Sequence, residues 1–149
     1  MRASKGRLAV CASFLAAAWL VGCGGGYGGM VSEPGALRLS DACLDLEVTP
    51  RPFDAGLPRP MPVLGLRIGN RCAHPVAVDL RALEVTADVG GRLAPLRPYD
   101  PRGELGAGLL DGRATMEERI AWEPPVTAEH VSRVCVRFGG APACLDLEG

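Results

Sequence analysis

The chain has 149 residues, with 16 Lys and Arg against 17 Asp and Glu and a net charge of −1. This balance excludes the clustered basic surface by which proteins hold nucleic acid. The 20 Gly and 13 Pro interrupt the chain too often for long helices. The composition therefore favours a small domain of short strands and turns with no nucleic-acid partner.

The first 22 residues have the layout of an export signal. Arg2, Lys5 and Arg7 form a positive leader, and an apolar run follows at 8–20. Residues 8–22 number 15, whereas a transmembrane helix needs roughly 20. We therefore expect residues 1–22 to be a signal peptide that is removed on export.

The segment Leu20-Val21-Gly22-Cys23 resembles the lipobox of bacterial lipoproteins. In that family the Cys sulfur receives a diacylglyceryl group, the signal is cut before the Cys, and the new amine is usually acylated. The resemblance implies that Cys23 is the lipidated first residue of the mature chain and holds it to a membrane. Two or more acyl chains anchor stably, whereas one gives only marginal binding. The alternative is a chance Cys after an ordinary signal peptide.

Residues 23–39 are rich in Gly and predict a flexible tether. Gly24 occupies the position where many inner-membrane lipoproteins of Gram-negative bacteria carry Asp. The resemblance therefore implies a location in the cell envelope, with the outer membrane facing the periplasm favoured and surface display as the alternative. Without residues 1–22 the chain has 127 residues and a net charge of −4, because that segment holds three basic residues and no acidic one.

Four cysteines remain after Cys11 leaves with the signal and Cys23 takes the lipid. An even number in an exported chain predicts disulfides. Cys135 and Cys144 flank a turn at 138–141, and residues equidistant from a hairpin turn face one another. This favours Cys135–Cys144, which leaves Cys43–Cys72. Zinc is the rival explanation, but no C-x2-C pair and no His at ligand spacing supports it, so we expect no metal and no cofactor.

Period-2 alternation of apolar and polar residues recurs along the mature chain and predicts strands. These segments are 44–48, 64–68, 76–80, 83–87, 93–97, 116–122, 134–138 and 145–147. One apolar face per strand requires two sheets packed face to face. The predicted fold is an all-β, immunoglobulin-like β-sandwich of seven or eight short antiparallel strands over residues 40–149, with a small β-barrel as the alternative.

Two further patterns bear on the fold. Residues 70–80 resemble the strand-turn-strand core of immunoglobulin-like domains in envelope lipoproteins, although the Cys–Trp–Cys order of true immunoglobulin domains is absent. The segment Ala-Cys-Leu-Asp-Leu-Glu occurs at 42–47 and again at 143–148. Duplication is one explanation, but the intervening halves do not match, so we prefer to interpret the repeat as two strands with the same alternation. The repeat also allows a rival arrangement in which the terminal strands lie side by side.

The chain contains few residues in patterns typical of catalysis. The two histidines are His74 and His130, and Ser132 lies near the second, but no serine occupies a G-x-S-x-G elbow. The methionines are too widely spread for a copper site. We therefore expect no enzymatic activity.

The longest segment without strand alternation, 98–112, is the predicted binding loop, because ordered loops of this length usually carry function. Tyr99 would be an aromatic anchor, surrounded by the charges of Asp100, Arg102 and Glu104. The alternatives are a calcium-binding loop, which is less favoured, and a solvated loop whose Tyr only covers the edge of the sandwich. The leading functional hypothesis is a lipid-anchored, non-catalytic domain that binds or supports another envelope component. The alternative is a periplasmic ligand or metal carrier.

Overall fold

The computed structural model describes residues 32–52, 55–124 and 131–147. The predicted signal peptide, Cys23, the first part of the tether and His130 lie outside these ranges. The described residues form ten strands and one short 3-10 turn, and no α-helix. The strands are β1 Leu37–Ser40, β2 Leu44–Arg51, β3 Val63–Asn70, β4 Val76–Asp79, β5 Glu84–Val89, β6 Arg92–Pro98, β7 Ala107–Leu110, β8 Thr115–Glu123, β9 Arg133–Arg137 and β10 Ala143–Asp146, with the 3-10 turn at Leu80–Ala82.

The strands form two four-stranded layers that are joined at one edge. One layer has the order β1-β2-β3-β8 and the other β6-β5-β9-β10, while β4 and β7 pair separately. The join consists of the register pairs Arg97↔Glu123 and Pro98↔Trp122, and β1 approaches β10 on the far side. Every pairing is antiparallel. The all-β prediction is confirmed, and the architecture fits a sandwich or a small, nearly closed barrel.

The core forms where the apolar faces of the two layers meet. Leu46 and Val48 of β2 and Trp122 of β8 have no exposed surface, and neither have Val134 and Val136 of β9. Each such side chain stabilises the fold by about 1.5–3 kcal/mol relative to an exposed one. The alternation predicted for these strands therefore does place their apolar residues inside.

The structure contains two strands that the sequence pattern does not predict. β1 begins at Leu37, inside the segment 23–39 for which a tether is predicted. β7 lies inside the segment 98–112 that is predicted to be irregular, so that prediction is wrong at Ala107–Leu110. Both strands have four residues, and each pairs with a strand from another part of the chain, β1 with β2 and β7 with β4. Ten strands replace the predicted seven or eight.

Both predicted disulfides are present. Cys135 lies directly opposite Cys144 in the β9–β10 hairpin, and Cys43 is joined to Cys72 across 29 positions of the chain. The two copies of the repeated segment do not pair with each other, because β2 lies between β1 and β3 while β10 pairs with β9. The rival arrangement, in which the two copies lie side by side, is therefore wrong.

The side chain of Asn70 connects three parts of the fold. It is fully buried at the end of β3, and its Nδ2 donates to the carbonyl oxygens of His74 at 2.9 Å, Leu110 at 3.0 Å and Asp111 at 3.1 Å. Its Oδ1 accepts from the backbone N–H of Cys72 at 2.9 Å. Since a buried amide without partners is costly, these bonds hold the turn after β3 against the end of β7.

Backbone contacts reinforce the same corner. The N–H of Arg71 donates to the carbonyl of Cys43 at 2.7 Å, and the N–H of Arg113 donates to that of Cys72 at 3.0 Å. A Cβ on Gly112 would overlap the carbonyl of Ala73, so glycine is required there for the two turns to pack. The corner is therefore closely packed as well as hydrogen-bonded.

We expect Asn70→Ala to lower the free energy of unfolding by about 2–4 kcal/mol, because it removes all the hydrogen bonds of a buried amide, including the donor to the buried Leu110 carbonyl. Asp88→Ala is the matched control. The Asp88 carboxylate accepts a single bond, from the N–H of Gly91 at 2.8 Å in the exposed β5–β6 turn, and its loss should cost about 1 kcal/mol or less. Urea denaturation of both variants measures the difference. Equal losses would show that Asn70 does not hold the corner together.

Candidate functional site

The loop that follows β6 is anchored to β8 at its first residue. The N–H of Tyr99 donates to the carbonyl of Ala121 at 2.8 Å, which continues the short β6–β8 pairing by one residue. The chain then leaves β8, and Gly103 adopts a φ of 67°, a left-handed conformation that glycine accepts without strain. The loop therefore starts as a strand and bends away to leave a gap beside β8.

Asp100 organises this loop from within. Its carboxylate accepts the N–H of Glu104 at 2.8 Å and the N–H of Leu105 at 3.0 Å, and its carbonyl accepts the N–H of Gly103 at 3.3 Å. Such side-chain bonds to nearby backbone are typical of Asp in turns. Both carboxylate oxygens of Asp100 have hydrogen-bond donors inside the loop. The side chain therefore stabilises the conformation of the loop in the absence of a partner protein.

The other three predicted site residues are available at the surface. Tyr99 is half-buried. The side chains of Arg102 and Glu104 are 81% and 72% exposed, and Nη1 of the first lies 3.7 Å from Oε1 of the second. An ion pair this exposed contributes little to stability. The structure thus brings all four predicted residues into one loop, with Asp100 as its support.

A groove of about 410 Å3 runs between this loop and β8. One wall is the loop itself, and the other consists of Glu118, Arg119 and Ile120 of β8. Ile120 is almost fully buried and belongs to the core, while the two charged residues are exposed, so the surface of the groove is mainly polar. The sequence pattern predicts the loop wall and misses the β8 wall, because these β8 residues form part of an ordinary alternating strand.

The backbone N–H and C=O groups of successive β8 residues point alternately to the two edges of the strand. The N–H of Trp122 donates to the carbonyl of Pro62 at 2.8 Å, on the side of β3, whereas the carbonyl of Ala121 accepts from Tyr99 on the other side. Successive residues of a strand direct their backbone groups to opposite edges. Odd-numbered residues of β8 therefore face away from β3.

It follows that Glu117 and Arg119 direct their backbone N–H and C=O groups to the edge of β8 that faces away from β3, and those of Arg119 lie at the groove. β6 pairs with β8 at its last two residues only, so among the described residues these groups have no strand partner. An open strand edge accepts another extended chain by backbone hydrogen bonds. The groove thus combines an unpaired edge at Arg119 with the half-buried ring of Tyr99.

The outer face of the β1-β2-β3-β8 layer has a row of alternating charges. Arg38, Glu47, Arg67 and Glu117 lie opposite one another on successive strands. Nε of Arg38 is 3.4 Å from Oε2 of Glu47, and Nε of Arg67 is 3.0 Å from Oε1 of Glu117. Glu47 is only 3% exposed, so its charge needs the neighbouring guanidinium groups. The row ends at β8, next to the open edge.

A second cavity, of about 320 Å3, opens on a different side of the domain. Its walls are mainly apolar, with Leu44, Ile68, Leu80 and Phe138 among them, and acidic residues stand at its rim. One of these is Asp79, whose hydrogen bond from the Arg81 side chain lowers the pKa of the carboxyl. This cleft has the character of a site for a small apolar molecule.

The histidine and serine that the sequence singles out do not come together in the described part of the chain. His74 lies exposed in the turn after β3. Ser132 is exposed before β9, where its carbonyl accepts the N–H of Leu147 at 2.7 Å. Its neighbour His130 lies outside the described residues.

Comparisons with known proteins identify no relative: no family model matches the chain, and no curated protein and no solved structure matches it significantly. None of the residues that the structure describes belongs to a helix long and apolar enough to cross a membrane.

We expect Asp100→Ala to loosen the loop, because it removes two charge-assisted bonds to backbone N–H groups. Amide hydrogen exchange at Glu104 and Leu105 should accelerate, and the free energy of unfolding should fall by about 1–2 kcal/mol. Arg102→Ala, in the same loop, is the control and should change stability by less than about 0.5 kcal/mol. Unchanged exchange at Glu104 and Leu105 in the Asp100 variant would contradict this role.

Proposed function

We propose that this chain is a lipid-anchored protein of the bacterial cell envelope whose β domain, without catalysis, binds another envelope protein. The binding site is the groove between the Tyr99–Leu105 loop and β8. One observation carries the proposal: the unpaired backbone edge of β8 at Arg119 lies beside a groove that has the aromatic ring of Tyr99 in its wall. Protein binding of this kind requires an accessible surface and does not require a catalytic residue.

The anchor rests on the N-terminal sequence. A positive leader, an apolar run and the lipobox-like Leu20–Cys23 precede a Gly-rich segment. If Cys23 carries the lipid, the segment from Cys23 to β1 links the membrane to the first strand at Leu37. Two disulfides in the domain are consistent with an oxidising compartment.

The groove suits an extended segment of a partner better than a small ligand. Backbone bonds to β8 would supply affinity that does not depend on sequence, and Tyr99 with the mixed charges of Arg102, Glu104, Glu118 and Arg119 would supply selectivity. The loop keeps its shape through Asp100, so little conformational entropy would be lost on binding.

A carrier of a small apolar ligand is the second candidate, and the cleft that includes Leu80 and Phe138 favours it. In that case a thermal-shift screen with acyl or aromatic compounds would raise the melting temperature of the domain. The variant Leu80→Asp would abolish that shift, and changes at Tyr99 would leave it intact. This separates the carrier from the partner-binding module.

For the anchor, we expect Cys23→Ser to leave an uncleaved precursor without lipid, because the acylated sulfur is lost. Cys11→Ser is the matched control and should be processed normally. Metabolic labelling with a fatty acid, followed by gel analysis of precursor and mature forms, measures both. Lipid labelling that persists in Cys23→Ser would overturn the assignment.

For the groove, a photo-crosslinking residue at the exposed Pro101 should capture a partner in native membranes. Replacing Tyr99 and Arg102 together by Ala should reduce that crosslink several-fold, because the anchor ring and one charge are lost. The melting temperature should fall by less than about 4 °C, the change that corresponds to roughly 1 kcal/mol in a small domain.

The matched control replaces Leu93 and Arg92, an exposed apolar residue and an Arg at the β5–β6 turn, and should leave the crosslink unchanged. A strong fall in melting temperature with the crosslink intact would show that the loop is structural, and would refute the binding site.

A further inference from the structure

The turn after β3 brings three soft donor atoms together. Sγ of Cys43, Sγ of Cys72 and a ring nitrogen of His74 all lie within 4.8 Å of one another. The two cysteines form a disulfide in the structure, so the sulfurs carry no free thiolate in this state. Both cysteines are half-buried and His74 is exposed, which leaves the group open to solvent. Spacing along the chain hides this cluster, because Cys43 precedes Cys72 by 29 positions.

The protein holds these residues in place by bonds other than the disulfide. The Asn70 amide bonds the carbonyl of His74 and the N–H of Cys72. The carbonyl of Cys72 accepts from Arg113, and that of Cys43 accepts from Arg71. On the other side, the carboxylate of Asp41 accepts the N–H of Cys43 at 2.9 Å. Because these contacts do not involve sulfur, breaking the S–S bond leaves the two cysteine backbones and the turn next to each other.

We propose that reduction of Cys43–Cys72 creates a three-donor site for a soft metal ion, Cu(I), bound by the two thiolates and the imidazole of His74. Thiolates select soft ions such as Cu(I) and zinc, and imidazole suits copper as well. Zinc takes four ligands and adds a water where the protein supplies only three, whereas Cu(I) accepts the three donors that this cluster offers among the described residues without a further ligand. The ligand number therefore favours Cu(I). The site is separate from the partner groove and does not depend on it.

The redox step balances with a dithiol as the reductant. One thiolate of the dithiol attacks one sulfur of the Cys43–Cys72 bond, forms a mixed disulfide with it and releases the other cysteine as a thiolate. The second thiolate of the dithiol then attacks the dithiol sulfur of the mixed disulfide and releases the first cysteine. The dithiol leaves as a disulfide, and its two electrons and two protons remain on Cys43 and Cys72 as thiols. Binding of Cu(I) then releases the two thiol protons, because the metal binds thiolates.

The second disulfide provides an internal comparison. Cys135 and Cys144 also become thiols on reduction, but in the described part of the chain no His, Asp or Glu joins them in a group of three donors. A dithiol alone can bind Cu(I), so the contribution of His74 distinguishes the proposed site from an unspecific one.

The experiment uses the full chain with Cys11→Ser and Cys23→Ser, so that the only cysteines are those of the two disulfides. The protein is reduced with a phosphine, freed of reductant under anaerobic conditions, and titrated with Cu(I) against a chromophoric Cu(I) chelator. We expect the oxidised protein to take no copper from the chelator and the reduced protein to bind one Cu(I) tightly, with any second ion at Cys135 and Cys144 held more weakly. Near-UV circular dichroism of the reduced protein should remain native-like, and an unfolded reduced protein would overturn the proposal.

His74→Gln should weaken Cu(I) binding by about tenfold or more, since even indirect partners of metal ligands contribute that much. His130→Gln is the matched control and should bind like the parent. His74 is exposed, so its replacement tests the metal site without threatening the fold. A variant with Cys135→Ser and Cys144→Ser should retain the binding. Affinity unchanged by His74→Gln, or binding that follows Cys135 and Cys144 instead, would refute the site.

Discussion

A buried side-chain amide must have its hydrogen bonds satisfied within the protein, and at Asn70 this requirement fixes the relation of three chain segments. The amide can reach its partners only if the turn after β3 and the turn between β7 and β8 lie against the end of β3. That placement aligns β4 with β7, sets the start of β8 and positions Cys72 beside Cys43. Loss of any one segment would leave polar groups buried without partners.

Contacts between strands at both sides of the domain limit the exposed backbone edges of the two layers. β1 and β10 approach each other, and β6 meets β8 at two register pairs, so the sheet nearly closes on itself. The outer face of the β1-β2-β3-β8 layer is covered by paired charges, which bury Glu47 without leaving it unpaired. In the described part of the chain, no strand pairs with the outer edge of β8 at Arg119. An unpaired edge beside an ordered loop can accept another extended chain.

The candidate site could be predicted in part from the sequence. The sequence predicts that Tyr99, Arg102 and Glu104 lie at the surface, because loops between strands are exposed and carry turn residues. The sequence does not predict that Asp100 supports the loop, because this role depends on the path of the backbone through Glu104 and Leu105. Glu118 and Arg119 were missed for a related reason: a strand pattern does not show which edge of the strand remains unpaired.

Local chemistry by itself determined the all-β class, most strand positions and the Cys135–Cys144 bond, since alternation and the distance from a turn depend on neighbours in the chain. Tertiary structure alone decided the strand order, the short strands β1 and β7, the burial of Glu47 and the meeting of Cys43, Cys72 and His74. These features arise between segments far apart in the chain. Their free energy comes from pairing and from burial of polar groups, and those interactions exist only once the distant segments have met.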